Sequence, residues 1–170
     1  MFRFIVSLAM LLLGAAMMSA IAQPANKLAV STAQGIRLDR NRPTRIPLTV
    51  AEGAGETLGF RIPPPRENTQ IYLVLRNIFA ESQPGIGYDI YLDLPPGRPP
   101  PGRSDVHYVG TIHFFDTAPD HRREERLNIT DSLKALAAKG QLSGAPSVTV
   151  VPGATAQGDS QIGSIAIEAE

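Results

Sequence analysis

Hydrophobic and polar positions alternate most cleanly over residues 88–94, where Tyr88, Ile90, Leu92 and Leu94 share one parity and Asp89, Tyr91 and Asp93 the other. A period of two predicts a half-buried strand. Residues 70–80 differ, with Ile71, Leu73 and Leu75 on one parity and Tyr72 and Val74 on the other. A strand apolar on both faces is central in a sheet or covered twice. Gln83-Pro84-Gly85-Ile86-Gly87 supplies the turn between these two runs. Residues 107–116 form a third strand, with Tyr108, Ile112 and Phe114 on one parity and Val109 and Phe115 on the other. Gly110 in its middle predicts a bulge or a close neighbour.

Around this centre lie shorter β-rich runs. RIPLTV (45–50) and TLGFRI (57–62) are joined by a connection of hairpin length, and Pro63, Pro64 and Pro65 stop the second. Residues 23–44 are polar and without sustained period, which predicts a flexible leader with one short strand at 27–31. Residues 95–105, with five prolines, fit neither helix nor central strand and read as a stiff, partly polyproline surface loop. The charged stretch 116–126, which includes HRREER, reads as a solvated loop. One helix follows: Thr130 as N-cap, Asp131 in the first turn, Leu133, Leu136 and Ala137 on one stripe, then Lys139 and Gly140 at the C-terminus. SVTVVP (Ser147–Pro152) and residues 161–169 are the last strands. Seven or eight short strands and one short helix define a mainly β chain, an antiparallel β-sandwich with the helix covering an end.

The N-terminus changes the picture of where such a domain works. Arg3, an apolar run over 4–18 and small residues at Ala20 and Ala22 have the form of a secretory signal peptide, with cleavage expected after Ala22. About 148 residues then remain, of which 45–170 form the sandwich domain and no second apolar segment suggests a membrane span. Removing Arg3 leaves fifteen basic against sixteen acidic residues, a net charge near −1. No field of that size steers nucleic acid or an anionic membrane surface. The chain has no cysteine, which excludes disulfides, thiolate metal sites and cysteine nucleophiles. A periplasmic or secreted location is expected.

The order of the motifs is more specific than any one of them. Tyr88-Asp89-Ile90-Tyr91, Gly110-Thr111-Ile112-His113-Phe114-Phe115, Leu127-Asn128-Ile129-Thr130, Val148-Thr149-Val150-Val151-Pro152 and a terminal isoleucine-rich strand follow one another. This series resembles the C-terminal domain of polyphenol oxidases and bacterial tyrosinases over about residues 70–168. The resemblance implies a sandwich that in the full-length enzymes lies over a copper-containing helical domain and shields its entrance. It implies no catalysis by this chain, because the six-histidine, helix-borne copper site is missing: the whole sequence has three histidines.

Candidate chemistry is correspondingly sparse. His107 and His113 share a strand parity but lie about 20 Å apart at 3.3 Å per residue, too far for one ion. His121 could approach His113 with Asp116 or Asp120 in a two-histidine, one-carboxylate arrangement, against the plainer reading of a surface histidine in a solvated loop. Asp89 and Asp93 are about 13 Å apart along one strand face, beyond the carboxylate spacing of glycosidases. Serines lack a nucleophile-elbow context, phosphate-binding glycine patterns are absent, and no cofactor is called for. What remains is an outward face, Asp89, Tyr91 and Asp93, beside Arg98 and Arg103 of the proline loop, with Tyr91 expected to be exposed. The expected function is an exported, non-catalytic accessory domain that docks on a type-3 copper protein in trans. The alternative is a stand-alone sandwich that binds a small molecule, glycan or envelope component.

Overall fold

The computed structural model describes residues 26–52, 54, 69–81, 87–115, 122–153 and 159–170. Ten strands and one helix occur among them: β1 (Asn26–Ser31), β2 (Ile36–Leu38), β3 (Thr44–Val50), β4 (Ile71–Ala80), β5 (Gly87–Leu92), β6 (Tyr108–His113), β7 (Arg123–Asn128), α1 (Thr130–Ala138), β8 (Ser147–Pro152), β9 (Ser160–Ile162) and β10 (Ser164–Ala169). Every pairing is antiparallel. The strands follow the order β2-β9-β4-β10-β1-β3-β8-β5-β6, with β7 on the remaining side of β4. TLGFRI and the turn at 83–86 lie outside the described residues.

This continuous sheet doubles back on itself. β5 and β9 are six steps apart in the strand order, about 29 Å in a flat sheet at 4.8 Å per step. Yet the Tyr88 hydroxyl on β5 donates to Ser160 Oγ on β9 at 3.3 Å. The two layers therefore face each other across one core. That core takes Leu73 and Leu75 from β4, Ile165 and Ile167 from β10, Ile46 and Leu48 from β3, Val148 and Val150 from β8, and Ile90 and Leu92 from β5. The expected antiparallel, sandwich-like β architecture with one short helix is what the chain adopts.

The bend has a local cause. Asn77 takes the left-handed conformation at φ 53°, and the β4–β7 register slips between Leu75 and Ile78. Before the slip β4 pairs with β10; after it, Phe79 and Ala80 pair with β9. Gly163 breaks the other side of the same joint, so the last strand expected over 161–169 is two strands, β9 and β10. The Gly163 amide donates to the Arg76 carbonyl at 2.9 Å, and its carbonyl accepts from Gly35 at 2.9 Å.

Three elements depart from the sequence expectation. Residues 26–44 hold more structure than a flexible leader: the short strand expected at 27–31 is β1, which sits between β10 and β3 with Leu28 and Ala29 buried, and β2, which was not expected, pairs with β9. The stretch containing REER is strand β7 and not a loop; its charges pair across the sheet, Arg76 with Glu124 at 2.9 Å and Arg126 with Glu170 at 2.6 Å, while Arg126 lies over the Tyr72 ring. Charged side chains on an edge strand also discourage pairing with other chains. Thr130 does not cap α1. Its hydroxyl oxygen accepts from the Ile71 amide at 2.8 Å, tying the helix to β4, and Asn128 Oδ1 accepts from the Thr130 amide. The helix otherwise follows expectation. Leu133 and Leu136 are buried, and Gly140 at φ 62° closes it with Gly140 N–H to Ala137 O and Gln141 N–H to Leu136 O.

Candidate functional site: the clamped proline loop

β5 carries the site because its two faces do different work. Tyr88, Ile90 and Leu92 point into the core as the alternation predicts. The other face, Asp89, Tyr91 and Asp93, is not left to solvent. Tyr91 is 2% exposed and Asp93 4%, which corrects the expectation of an outward tyrosine among solvated acids. The proline loop folds back over Tyr91 and Asp89, while Asp93 is engaged by Ser143 and the Ser147 carbonyl.

Three contacts hold the loop down. The Tyr91 hydroxyl donates to the Pro101 carbonyl at 2.5 Å, and its ring meets Tyr108 edge-on at 5.7 Å. Arg103 grips Asp89 with two donors, Nε to Oδ2 at 3.1 Å and Nη2 to Oδ1 at 3.0 Å. Arg98 pairs with Asp105 at 3.0 Å, and Asp105 also accepts from the His107 amide at 3.0 Å. Behind Asp89, Thr111 Oγ1 donates to Oδ1 at 2.5 Å and lies 2.8 Å from the Tyr108 hydroxyl. The loop itself turns at Gly97, whose φ of 74° a side chain would resist.

The flanks are fixed in the same manner. Asp93 takes φ 53° at the end of β5 and accepts from both the amide and the hydroxyl of Ser143, the latter at 2.8 Å. Arg45 of β3 donates to the Leu94 carbonyl. His107 is fully buried with Nδ1 2.8 Å from the Leu92 carbonyl, to which it donates, and Nε2 has no hydrogen-bond partner. Gly110 meets both halves of its expectation: the β5–β6 register slips beside it, and a Cβ there would stand 3.1 Å from Leu127.

Electrostatics follow from this packing. Burial chiefly, then the charge of Asp89, pushes the Tyr91 phenol above its ordinary 10.0. Hydrogen bonding to Asp89 first, and its charge second, raises the Arg103 guanidinium. Both shifts favour the protonation states that hold the loop.

Of the five interaction candidates from the sequence, Asp89, Tyr91, Arg98 and Arg103 take part in the clamped loop, while Asp93 binds Ser143 instead. Arg98 and Arg103 stay exposed, as do Pro95, Pro96, Pro99 and Pro100. Sequence reasoning missed Tyr108, Thr111 and Asp105, for which the only signal was an acidic strand face followed by a loop with arginines. Of the metal candidates only His113 lies among the described residues. His113 is exposed and stacks on Phe115 at 5.6 Å, while Asp116 and His121 lie outside the described residues. Among the described residues no group of three or more His, Asp or Glu could hold an ion. Nor is any helix among them long and apolar enough to cross a membrane. An open, polar depression at the start of α1 has Gln70, Asn128, Thr130, Asp131 and Lys134 on its walls.

Fold and site together define a sandwich-like β-domain with a proline loop tied to one face of β5. No protein-family profile matches the sequence, and no curated protein matches it. Solved structures do. The chain is similar to recombinantly expressed latent aurone synthase, a polyphenol oxidase, at TM-score 0.56 and 17% identity over 81% of this chain and 25% of the enzyme. A second structure of the recombinant latent enzyme gives 0.54 and 14% over 82% and 28%, and the latent enzyme from its natural source gives 0.51 and 17% over 79% and 25%. At these identities the likeness is one of fold. The chain spans about a quarter of the length of those enzymes, the extent of a single domain.

Proposed function

We propose that this chain is an exported, non-catalytic domain that covers a tyrosinase-like copper protein in trans, as a shield or maturation factor. The observation that carries the reading is the fold likeness confined to a quarter of polyphenol oxidase chains, all three of them described as latent. It is supported by a sequence with three histidines, half the number a six-histidine copper pair takes. The signal-like N-terminus supports export. With no charge field to steer it, the domain would rely on shape and on a fixed contact surface.

The test is reconstitution. A type-3 copper domain from the same genome, lacking a β-domain of its own, is assayed for phenol oxidation with and without equimolar added chain. Binding accompanied by suppressed turnover, or by improved copper loading during expression, is the expected result. Unchanged activity and loading, with no complex by analytical ultracentrifugation, would sink the reading. Saturable micromolar binding to a sugar or phenol in the absence of any copper protein would instead favour a stand-alone binding domain.

A further inference from the structure

We infer that the proline loop is the part of the domain that meets its partner, and that the partner receives it in a groove walled by aromatic rings with an acidic rim. The inference rests on the docking reading above and specifies its surface. Residues 95–104 expose four proline rings and two arginines and contain no acidic residue. The carboxylates that hold the arginines lie lower than the cations: side-chain exposure is 21% for Asp89 against 65% for Arg103, and 16% for Asp105 against 43% for Arg98. What faces outward is therefore prolyl and cationic.

The chemistry of the run dictates its receptor. Pro99-Pro100-Pro101 has no backbone N–H, so it offers carbonyls and flat rings. Aromatic side chains recognise such a surface by stacking, as polyproline-binding grooves do. Each arginine spends part of its donor fork on the internal carboxylate and keeps other N–H groups exposed, which an acidic rim can take. The internal clamps matter as much as the contacts. Tyr91, Asp89 and Asp105 hold the loop in a single geometry before binding, so little ordering entropy is lost on association.

The experiment compares the wild-type chain with Pro99→Ala/Pro100→Ala, Arg98→Ala and Tyr91→Phe, titrated against the copper domain named above. The inference expects the double proline variant and Arg98→Ala to bind at least about tenfold more weakly with unchanged circular dichroism. Tyr91→Phe, which alters no exposed atom, should weaken binding about threefold or more by loosening the loop. The free peptide of residues 95–105 should compete at least about a hundredfold less well than the folded chain. Wild-type binding with all variants equal to it overturns the inference and leaves the docking reading standing. Variants that melt earlier but bind unchanged per folded molecule also overturn it, because the loop is then only a roof over β5. Absence of wild-type binding overturns both.

Discussion

Gly163→Ala probes the joint on which the folded-over sheet depends. A Cβ built at Gly163 would stand 2.6 Å from Asn77 Cβ and 3.1 Å from the Arg76 carbonyl oxygen. Neither neighbour is the end of a flexible side chain: one is fixed to its own backbone and the other is backbone. The same carbonyl accepts from the Gly163 amide at 2.9 Å, so the strands cannot separate without losing that bond. Forcing a methyl group into such a site costs about 1–3 kcal/mol, and this one belongs near the upper end because a hydrogen bond is strained with it. For a domain of this size the loss lowers the melting temperature by about 4–10 °C. Denaturant titration should show a lower midpoint with an unchanged slope, since the fold survives. Asn77→Gly removes the closer contact and suits the left-handed φ, so the double variant should recover more than half of the loss. A Gly163→Ala cost below about 0.5 kcal/mol, or strict additivity with Asn77→Gly, would refute the idea that close backbone approach at this point sets the bend.

Further expectations follow from the site. Asp93→Ala should destabilise by about 2–4 kcal/mol in thermal melts, because two hydrogen bonds from Ser143 to a buried carboxylate vanish and alanine resists φ 53°; Asp93→Asn should cost less. The Tyr91 phenol, raised above 10.0, contributes stability that is complete below about pH 10 and is lost as pH climbs through its folded value; an absorbance titration of wild type minus Tyr91→Phe should show ionisation delayed relative to free tyrosine. Asp159 is lowered below 3.8 by hydrogen bonding to Arg40 and then by its charge, so the stability it adds is present above that value and fades as pH falls through the lowered one; in Arg40→Ala its carboxyl resonance should titrate at the ordinary position. Copper titration should give the same isotherm for His113→Ala as for wild type, because His113 stacks on Phe115 and no cluster of ligands surrounds it among the described residues.

The legible parts of this fold are those where one physical signal dominates. Alternation over 88–94 correctly assigned the core face of β5, and double-sided hydrophobicity correctly placed β4 inside the sheet, because burial of apolar surface decides both. β7 was illegible for the opposite reason: Arg123–Asn128 alternates charge with charge, and its stability as a strand comes from Arg76, Tyr72 and Glu170, residues distant in sequence. The leader was legible only in part: the short strand expected at 27–31 is β1, which fills the slot between β10 and β3, whereas the three residues of β2 carry no periodic signal and are a strand through pairing with β9. Thr130 satisfied every local rule for an N-cap, and a long-range partner, the Ile71 amide, took its hydroxyl instead.

The candidate site shows the same division between what is local and what is not. The proline run, the two arginines and the acidic face of β5 are visible in sequence, and so is their closeness along the chain. Their roles are not visible, because exposure depends on where residues 95–105 lie in space. Once the loop crosses β5, Tyr91 and Asp89 change from outward groups to supports, and Arg98 and Arg103 remain the outward ones. A loop that only needed to cover apolar surface would not need two buttressed arginines and a tyrosine hydroxyl bound to a prolyl carbonyl. Polar clamps of this kind add less to stability than one well-packed leucine in the core, because solvent screens the exposed pairs. What they supply beyond that is a fixed shape, which is what the docking surface inferred above requires.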